Sequence, residues 1–192
     1  LSLAVKFSMV RGPRLDEWCE MFAGDSFYRR ANFSWSRGSA LLGSTQAADA
    51  VSSVGDGDIV RVTNVPSKTD RSGAKWLGKY MWYLYDSSNP LNFASAWAAY
   101  ERRYPCPEGD RPVWPAFSPG ADVKPFKPGL ARSSLHSLWT QVENETFASA
   151  HSWHDFRATV ATGHTALNKD SPFTQAMLCW ASPSSVALYG QL

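Results

Sequence analysis

Apolar residues recur at helical spacing along much of the chain. Residues 1–23 predict a helix that Gly12-Pro13 interrupts, because proline suits the first position of a new helix. After the interruption, a core-facing stripe follows at steps of three, one and three residues: Leu15, Trp18, Cys19 and Phe22. The same steps predict a helix over 133–147, and further helices are expected over 91–103, 153–167, 171–179 and from Ser182-Pro183 onward.

The β-branched run Ile59–Thr63 predicts a strand, and the polar segment 67–73 predicts a turn that leads into one or more returning strands over 75–85. A short strand is expected around Asn32–Trp35, within an otherwise irregular stretch over 24–57. Residues 104–129 hold seven of the chain's twelve prolines and predict a loop rather than a folded element. The pattern therefore predicts an α+β fold that is mainly helical, with a small antiparallel sheet over residues 32–85.

Composition narrows the class of protein. With 192 residues, 44% apolar and 19% charged, the chain can bury one sizeable core and is typical of a soluble globular protein. No apolar run is long enough for a transmembrane helix, and the start lacks the pattern of a signal peptide, so secretion and membrane insertion are not expected. Three widely spaced cysteines, Cys19, Cys106 and Cys179, predict free thiols in a reducing compartment. The net charge of +2 neither requires nor excludes a polyanionic partner.

One set of residues near the end of the chain suggests chemistry on a phosphate. His154 and Arg157 are three residues apart and share a helix face. Trp180, which can donate a hydrogen bond, follows, and Tyr189 comes nine residues after it. An isolated His-x-x-Arg pair is more often a helix cap and a surface arginine, so its weight comes from the spacing of the later aromatics.

These segments resemble the C-terminal catalytic boxes of the tyrosine recombinase (phage-integrase-like) family. The resemblance rests on His154–Thr162, on Met177–Ser182 and on Leu188-Tyr189. Upstream, Gly12-Pro13-Arg14-Leu15-Asp16-Glu17 is similar to the Gly-x-Arg-x-x-Glu motif of that family, which makes Arg14 its first arginine. Arg11 is a nearby competitor, but it has no Glu three residues later.

The family also carries a lysine in a β-hairpin between that arginine and the histidine. Residues 67–73, directly after a strand, resemble this hairpin and favour Lys68 through the Lys-Thr-Asp context. Lys75 and Lys79 are alternatives. Cys179 departs from the relatives, which often have Gly or Arg before the Trp or His.

The resemblance implies a site-specific recombinase or integrase that cleaves and rejoins DNA through a 3′-phosphotyrosine, as in phage integration or transposition. Two arginines, Arg14 and Arg157, would bind the non-bridging phosphate oxygens, and His154 and Trp180 would assist. Tyr189 would attack phosphorus and Lys68 would protonate the leaving 5′ oxygen. No cofactor or metal is implied. The alternatives are a type IB topoisomerase-like enzyme and a relative that binds DNA without catalysis.

The implied partners are double-stranded DNA and further copies of the full-length enzyme, as a dimer to tetramer on DNA. Residues 1–192 would form the catalytic domain, with the N-terminal core-binding domain outside this sequence. The location would be cytoplasmic in a prokaryotic or viral setting and nuclear in a eukaryotic one. Basic residues expected to contact the DNA backbone are Arg29, Arg30, Arg37, Arg71 and Lys75.

Overall fold

The computed structural model describes residues 2–20, 27–44, 48–66, 70, 72, 74–105, 111–113, 115–116, 124–167, 171–180 and 184. The helices are α1 Ser2–Arg11, α2 Leu15–Trp18, α3 Ala48–Ser53, α4 Phe93–Arg103, α5 Pro128–Val142, α6 Glu145–Ala150, α7 Trp153–Ala166 and α8 Ser171–Met177. The strands are β1 Phe33–Arg37, β2 Ala40–Ser44, β3 Ile59–Thr63, β4 Tyr80–Leu84, β5 Pro115–Ala116 and β6 Lys124–Pro125. This arrangement confirms a mixed α/β fold with a small antiparallel sheet. Within the described part of the chain, no helix is long and apolar enough to cross a membrane.

The main sheet has the strand order β2-β1-β3-β4, and every neighbouring pair is antiparallel. Because side chains alternate across a strand, Phe33 and Trp35 of β1 and Val60 and Val62 of β3 lie on one face, where all four are fully buried. The opposite face carries Ser34 and Ser36 of β1 and Ile59, Arg61 and Thr63 of β3. The predicted strand Ile59–Thr63 is confirmed, and β4 lies inside the predicted returning segment.

Two helices cover the buried face of the sheet. Trp97 of α4 stacks on Phe33 with ring centroids 4.2 Å apart, and Phe7 of α1 lies 4.9 Å from Phe93. On the other side of this layer, Trp18 of α2 meets Trp153 of α7 edge to face at 4.8 Å. The end of α1 and the short α2 are therefore held between the sheet layer and α7.

Several expectations need correction. The single helix over 133–147 is wrong: α5 ends at Val142, and Asn144 caps a new helix by accepting a hydrogen bond from the Phe147 amide at 2.9 Å. The stretch 24–57 is more regular than expected, since it contains β2 and α3. The proline-rich segment contains the short antiparallel pair β5–β6. The predicted helix after Ser182-Pro183 lies outside the described residues except for Ser184.

Candidate functional site

A turn at Gly12 places the segment Gly12–Glu17 against helix α7. Gly12 has φ +54°, a left-handed conformation that ends α1, and its amide donates to the Ser8 carbonyl at 2.9 Å. A Cβ at this position would lie 3.1 Å from the Arg157 Cα and 2.9 Å from the Leu178 Cδ2. Only glycine fits without displacing these atoms. The chain then turns through Pro13 and starts α2 at once, so Arg14 stands at the N-cap of α2, next to α7.

Arg157 is the buried centre of the site, with 1% of its surface exposed. Its Nη1 donates to the Gly12 carbonyl at 2.6 Å, and its Nη2 donates to the Leu178 carbonyl. The guanidinium lies 5.1 Å from the centre of the Trp180 ring, while its Nε is buried and has no hydrogen-bond partner. Burial lowers the pKa of Arg157 to about 10, and the charges of Arg14 and Arg11 also lower it. The group nevertheless keeps its charge at neutral pH.

The turn after α8 presents Trp180 to this guanidinium. The Trp180 amide donates to the Gln175 carbonyl at 2.9 Å and the Cys179 amide to the Ala176 carbonyl at 3.2 Å, which together form a Schellman cap. Such a cap needs a left-handed residue, and Cys179 supplies it with φ +49°. A glycine would adopt this conformation without strain, whereas a cysteine carries a Cβ that disfavours it.

Arg11, which competes with Arg14 for the first arginine position of the motif, is buried. Its guanidinium donates to the Met177 carbonyl, to the Cys179 Sγ at 2.8 Å and to the Asn64 Oδ1 at 3.0 Å. It therefore ties the end of α1 to the turn after α8 and to the residue that follows β3. Its spacing from Arg14 carried no signal of this role, because its partners lie far away in sequence.

One buried carboxylate lies among these cations. Glu17 has 2% of its surface exposed; its Oε2 accepts from the Arg14 amide at 3.1 Å, and its Oε1 lies 3.7 Å from the Arg14 Nη1. Its charge raises the pKa of both Arg157 and Arg11. Glu17 therefore lies among three guanidinium groups, those of Arg11, Arg14 and Arg157.

His154 stands on the first turn of α7, at the edge of a cleft. Ser152 caps this helix by accepting from the His154 amide at 3.2 Å, and the Ser152 amide donates to the Asp155 carboxylate at 2.6 Å. The His154 ring is partly exposed; desolvation, then the charges of Arg157 and Arg14, lower its pKa, so the neutral form is favoured near pH 7. The cleft has a volume of about 950 Å³. Its charged and titratable lining residues are Arg14, Asp16, Arg132, His136, His151 and His154.

The structure thus brings together four of the six residues that the resemblance selected: Arg14, His154, Arg157 and Trp180. Lys68 and Tyr189 lie outside the described residues, but the segments that lead to them start at this site. The connection that carries Lys68 begins at Asn64, whose amide donates to the Lys79 carbonyl at 2.8 Å and whose side chain is bound by Arg11. The segment that carries Tyr189 begins at Trp180.

Two of the expected DNA contacts have partners inside the protein. Arg30 is buried and forms an ion pair with Glu101 at 3.3 Å, while its Nη1 donates to the Tyr104 carbonyl at 2.5 Å. Arg30 is therefore bound inside the protein and has little surface to offer to DNA. Arg37 is more exposed, but Asp58 binds it with two hydrogen bonds of 2.7 and 2.8 Å.

Two further expected DNA contacts, Arg29 and Lys75, lie against aromatic rings. The Arg29 guanidinium lies 4.8 Å from the Phe27 ring centre, and the Lys75 Nζ lies 5.2 Å from that of Trp76. Lys79, the other alternative to Lys68, also lies over Trp76, at 5.0 Å. Arg71 falls outside the described residues.

Within the described ranges, no group of three or more His, Cys, Asp or Glu side chains could hold a metal ion. The described side chains at the site supply cationic hydrogen-bond donors, an imidazole, an indole and the carboxylates of Asp16 and Glu17. Comparison with protein-family models, with curated proteins and with solved structures found no match for this chain.

Proposed function

We propose that the chain is a DNA strand transferase of the tyrosine recombinase type, which cleaves and rejoins DNA through Tyr189. The observation that carries the proposal is the grouping of Arg14, His154, Arg157 and Trp180, which come from three distant parts of the sequence. Arg14 and His154 line one cleft, and the charges of Arg14 and Arg157 both act on His154. The buried Arg157 in turn lies against the ring of the buried Trp180. The likeness in sequence required this grouping, and residues that merely matched a motif by chance had no reason to adopt it.

The charge of the site suits a phosphodiester under attack. The phosphate gains a second negative charge as a fifth oxygen approaches phosphorus, and guanidinium groups stabilise that charge through paired hydrogen bonds. Arg157 donates one N–H to each of two carbonyls, which fixes the plane of its guanidinium group. Its Nε is a buried donor that has no hydrogen-bond partner in the protein. Arg14 is partly exposed at the cleft and offers a second guanidinium.

The proton transfers can be assigned to named groups. The Tyr189 oxygen forms a bond to phosphorus while the bond from phosphorus to the 5′ oxygen breaks, which leaves a 3′-phosphotyrosine and a free 5′-hydroxyl. His154 is neutral near pH 7 because its pKa is lowered, so it can accept the phenol proton. Lys68 gives a proton to the leaving oxygen. Trp180 donates only an N–H and takes no part in proton transfer.

The decisive experiment is covalent capture on a pool of nicked duplexes of randomised sequence, in the presence of EDTA. A nick next to the cleavage point lets the released strand diffuse away, so that the phosphotyrosine adduct accumulates and is isolated with the protein. We expect an adduct with the wild-type chain, none with Tyr189→Phe, and a loss of at least about a hundredfold with Arg157→Lys, which cannot reproduce the planar guanidinium contacts.

Matched controls separate chemistry from folding. Tyr104→Phe removes the hydroxyl of a different tyrosine, and Arg102→Lys changes an arginine whose guanidinium donates to the Val51 and Val54 carbonyls; both variants should form the adduct normally. An adduct that survives in Tyr189→Phe, or no adduct from any duplex with a folded wild-type protein, would contradict the proposal. Relaxation of a supercoiled plasmid by many turns would instead favour the topoisomerase alternative.

A further inference from the structure

The outer face of the main sheet carries a row of exposed aromatic and apolar side chains along β4. Tyr80, Trp82 and Leu84 are 46%, 53% and 56% exposed, and they alternate with the less exposed Met81 and Tyr83. In the strand order, β4 is the edge strand, next to β3 alone. A tryptophan on an edge strand with half of its surface in water is costly unless a partner uses it.

A cation accompanies this row. Arg61 of β3 lies directly opposite Trp82 in the register, and its guanidinium lies 4.1 Å from the Tyr80 ring centre and 5.0 Å from the Trp82 ring centre. The Arg61 Nε is buried and has no hydrogen-bond partner, and among the described residues no acid pairs with this guanidinium. The pattern continues into the turn before β4, where the Lys79 Nζ lies 5.0 Å from the Trp76 ring centre.

The charge of this face has one sign. None of the four strands contains an aspartate or a glutamate, so the cations next to the rings meet no opposing charge along the sheet itself. A protein strand that paired with β4 would hydrogen-bond to the backbone groups of β4. It would not account for the exposed rings of Tyr80 and Trp82 or for the cation beside them, Arg61. A ligand that carries flat rings and a phosphate at each step matches both parts of the pattern.

We propose that the outer face formed by Arg61, Tyr80 and Trp82 binds single-stranded nucleic acid. Bases stack on the Trp82 and Tyr80 rings, and Arg61 contacts the phosphates between them. This surface is separate from the cleft of His154, and the inference does not depend on the proposed strand transfer. No base-specific hydrogen bonding is implied, so the binding is tolerant of sequence.

The test uses the full chain and fluorescently labelled oligo-dT of about 15 nucleotides, with binding measured by anisotropy at low salt. Replacing the ring by an aliphatic side chain, in Trp82→Leu, should weaken binding about tenfold or more, because stacking of one base contributes that much. Trp82→Phe keeps a ring and should keep most of the affinity. Arg61→Gln should weaken binding and reduce its dependence on salt by about one released ion.

The matched control is Phe173→Leu, which removes an aromatic ring of similar exposure, 44%, on α8. It should bind oligo-dT as the wild type does. Unchanged binding in both Trp82→Leu and Arg61→Gln would overturn the proposal. The same holds if Trp82→Leu converts a dimer into a monomer in sedimentation without weakening oligo-dT, because the face would then be an interface between copies.

The adduct assay keeps this inference apart from the proposed function. Trp82→Leu should still form the covalent adduct with nicked duplex, whereas Tyr189→Phe should lose the adduct and keep its affinity for oligo-dT. Oligo-dT binding without any adduct would support the binding face on the sheet and contradict the proposed strand transfer. An adduct together with no oligo-dT binding would support strand transfer and contradict the binding face.

Discussion

Gly12→Ala should destabilise the protein and disturb Arg157 more than an ordinary glycine replacement would. Two costs combine at this position. A left-handed conformation costs an alanine about 1–2 kcal/mol. The new methyl group would also lie 3.1 Å from the Arg157 Cα and 2.9 Å from the Leu178 Cδ2, and such overpacking costs about 1–3 kcal/mol. The Leu178 side chain can rotate away, but the Arg157 backbone can move only with α7.

Gly38 provides the matched control, because its φ of +56° is nearly that of Gly12 and a Cβ there would meet no atom within 4 Å. Gly38→Ala therefore carries the conformational cost without the contact. Urea unfolding followed by tryptophan fluorescence should show a loss that is larger for Gly12→Ala by about 1–3 kcal/mol, which corresponds to a midpoint lower by roughly 1 M. Adduct formation should fall only in Gly12→Ala. Equal losses in the two variants would refute the argument that Gly12 is required for close packing on α7.

Three further predictions concern titrating groups. The pKa of His154 is lowered in the folded protein, so the unfolded chain binds a proton at a higher pH than the folded chain does. The free energy of unfolding should therefore drop as the pH falls below about 6.5. Unfolding curves of His154→Gln should show a smaller drop. Burial raises the pKa of Glu101 to about 7, so the folded chain binds a proton there more tightly than the unfolded chain does. The free energy of unfolding should therefore decline as the pH rises from about 4.5 to 7. A decline of equal size in Glu101→Gln would contradict this. Burial raises the pKa of the Cys19 thiol to about 12 and also raises that of Cys179, so neither thiol ionises readily near pH 8. Peptide mapping after brief alkylation of the native protein near pH 8 should find both cysteines unmodified. Both should be labelled only when the protein is unfolded.

Local pattern predicted the elements that have a strong signal of their own. The β-branched run Ile59–Thr63 forms β3, and the Ser152 cap with Asp155 starts α7 close to the predicted position. The break between α5 and α6 was missed because the helical spacing of apolar residues runs across it. Asn144 was the available signal, since asparagine favours the position before a helix. The start of α5 at Pro128 was signalled in the same way, by a proline in the first turn.

The site could be predicted only in part, for a physical reason. Arg14, His154 and Arg157 lie in short motifs, so a likeness in sequence can select them. The contacts of Arg11 are with two carbonyl or sulfur atoms about 166 residues away and with Asn64, and a backbone carbonyl has no residue identity that a sequence could reveal. Arg30 shows the converse: the sequence analysis expected it to contact DNA, but it is buried beside Glu101, which comes from the distant helix α4.

The buried guanidinium groups also determine which parts of the molecule can open independently. The Gly12 amide closes the last turn of α1, and the Trp180 amide closes the turn after α8; they lie near opposite ends of the described chain. Arg11 and Arg157 bind both turns, so neither can unfold without leaving a buried cation unsatisfied. The two amides should therefore exchange with solvent hydrogen in one shared opening event rather than by separate fraying. Helices α1 and α8 then behave as a single cooperative unit, although residues 12–170 separate them along the chain.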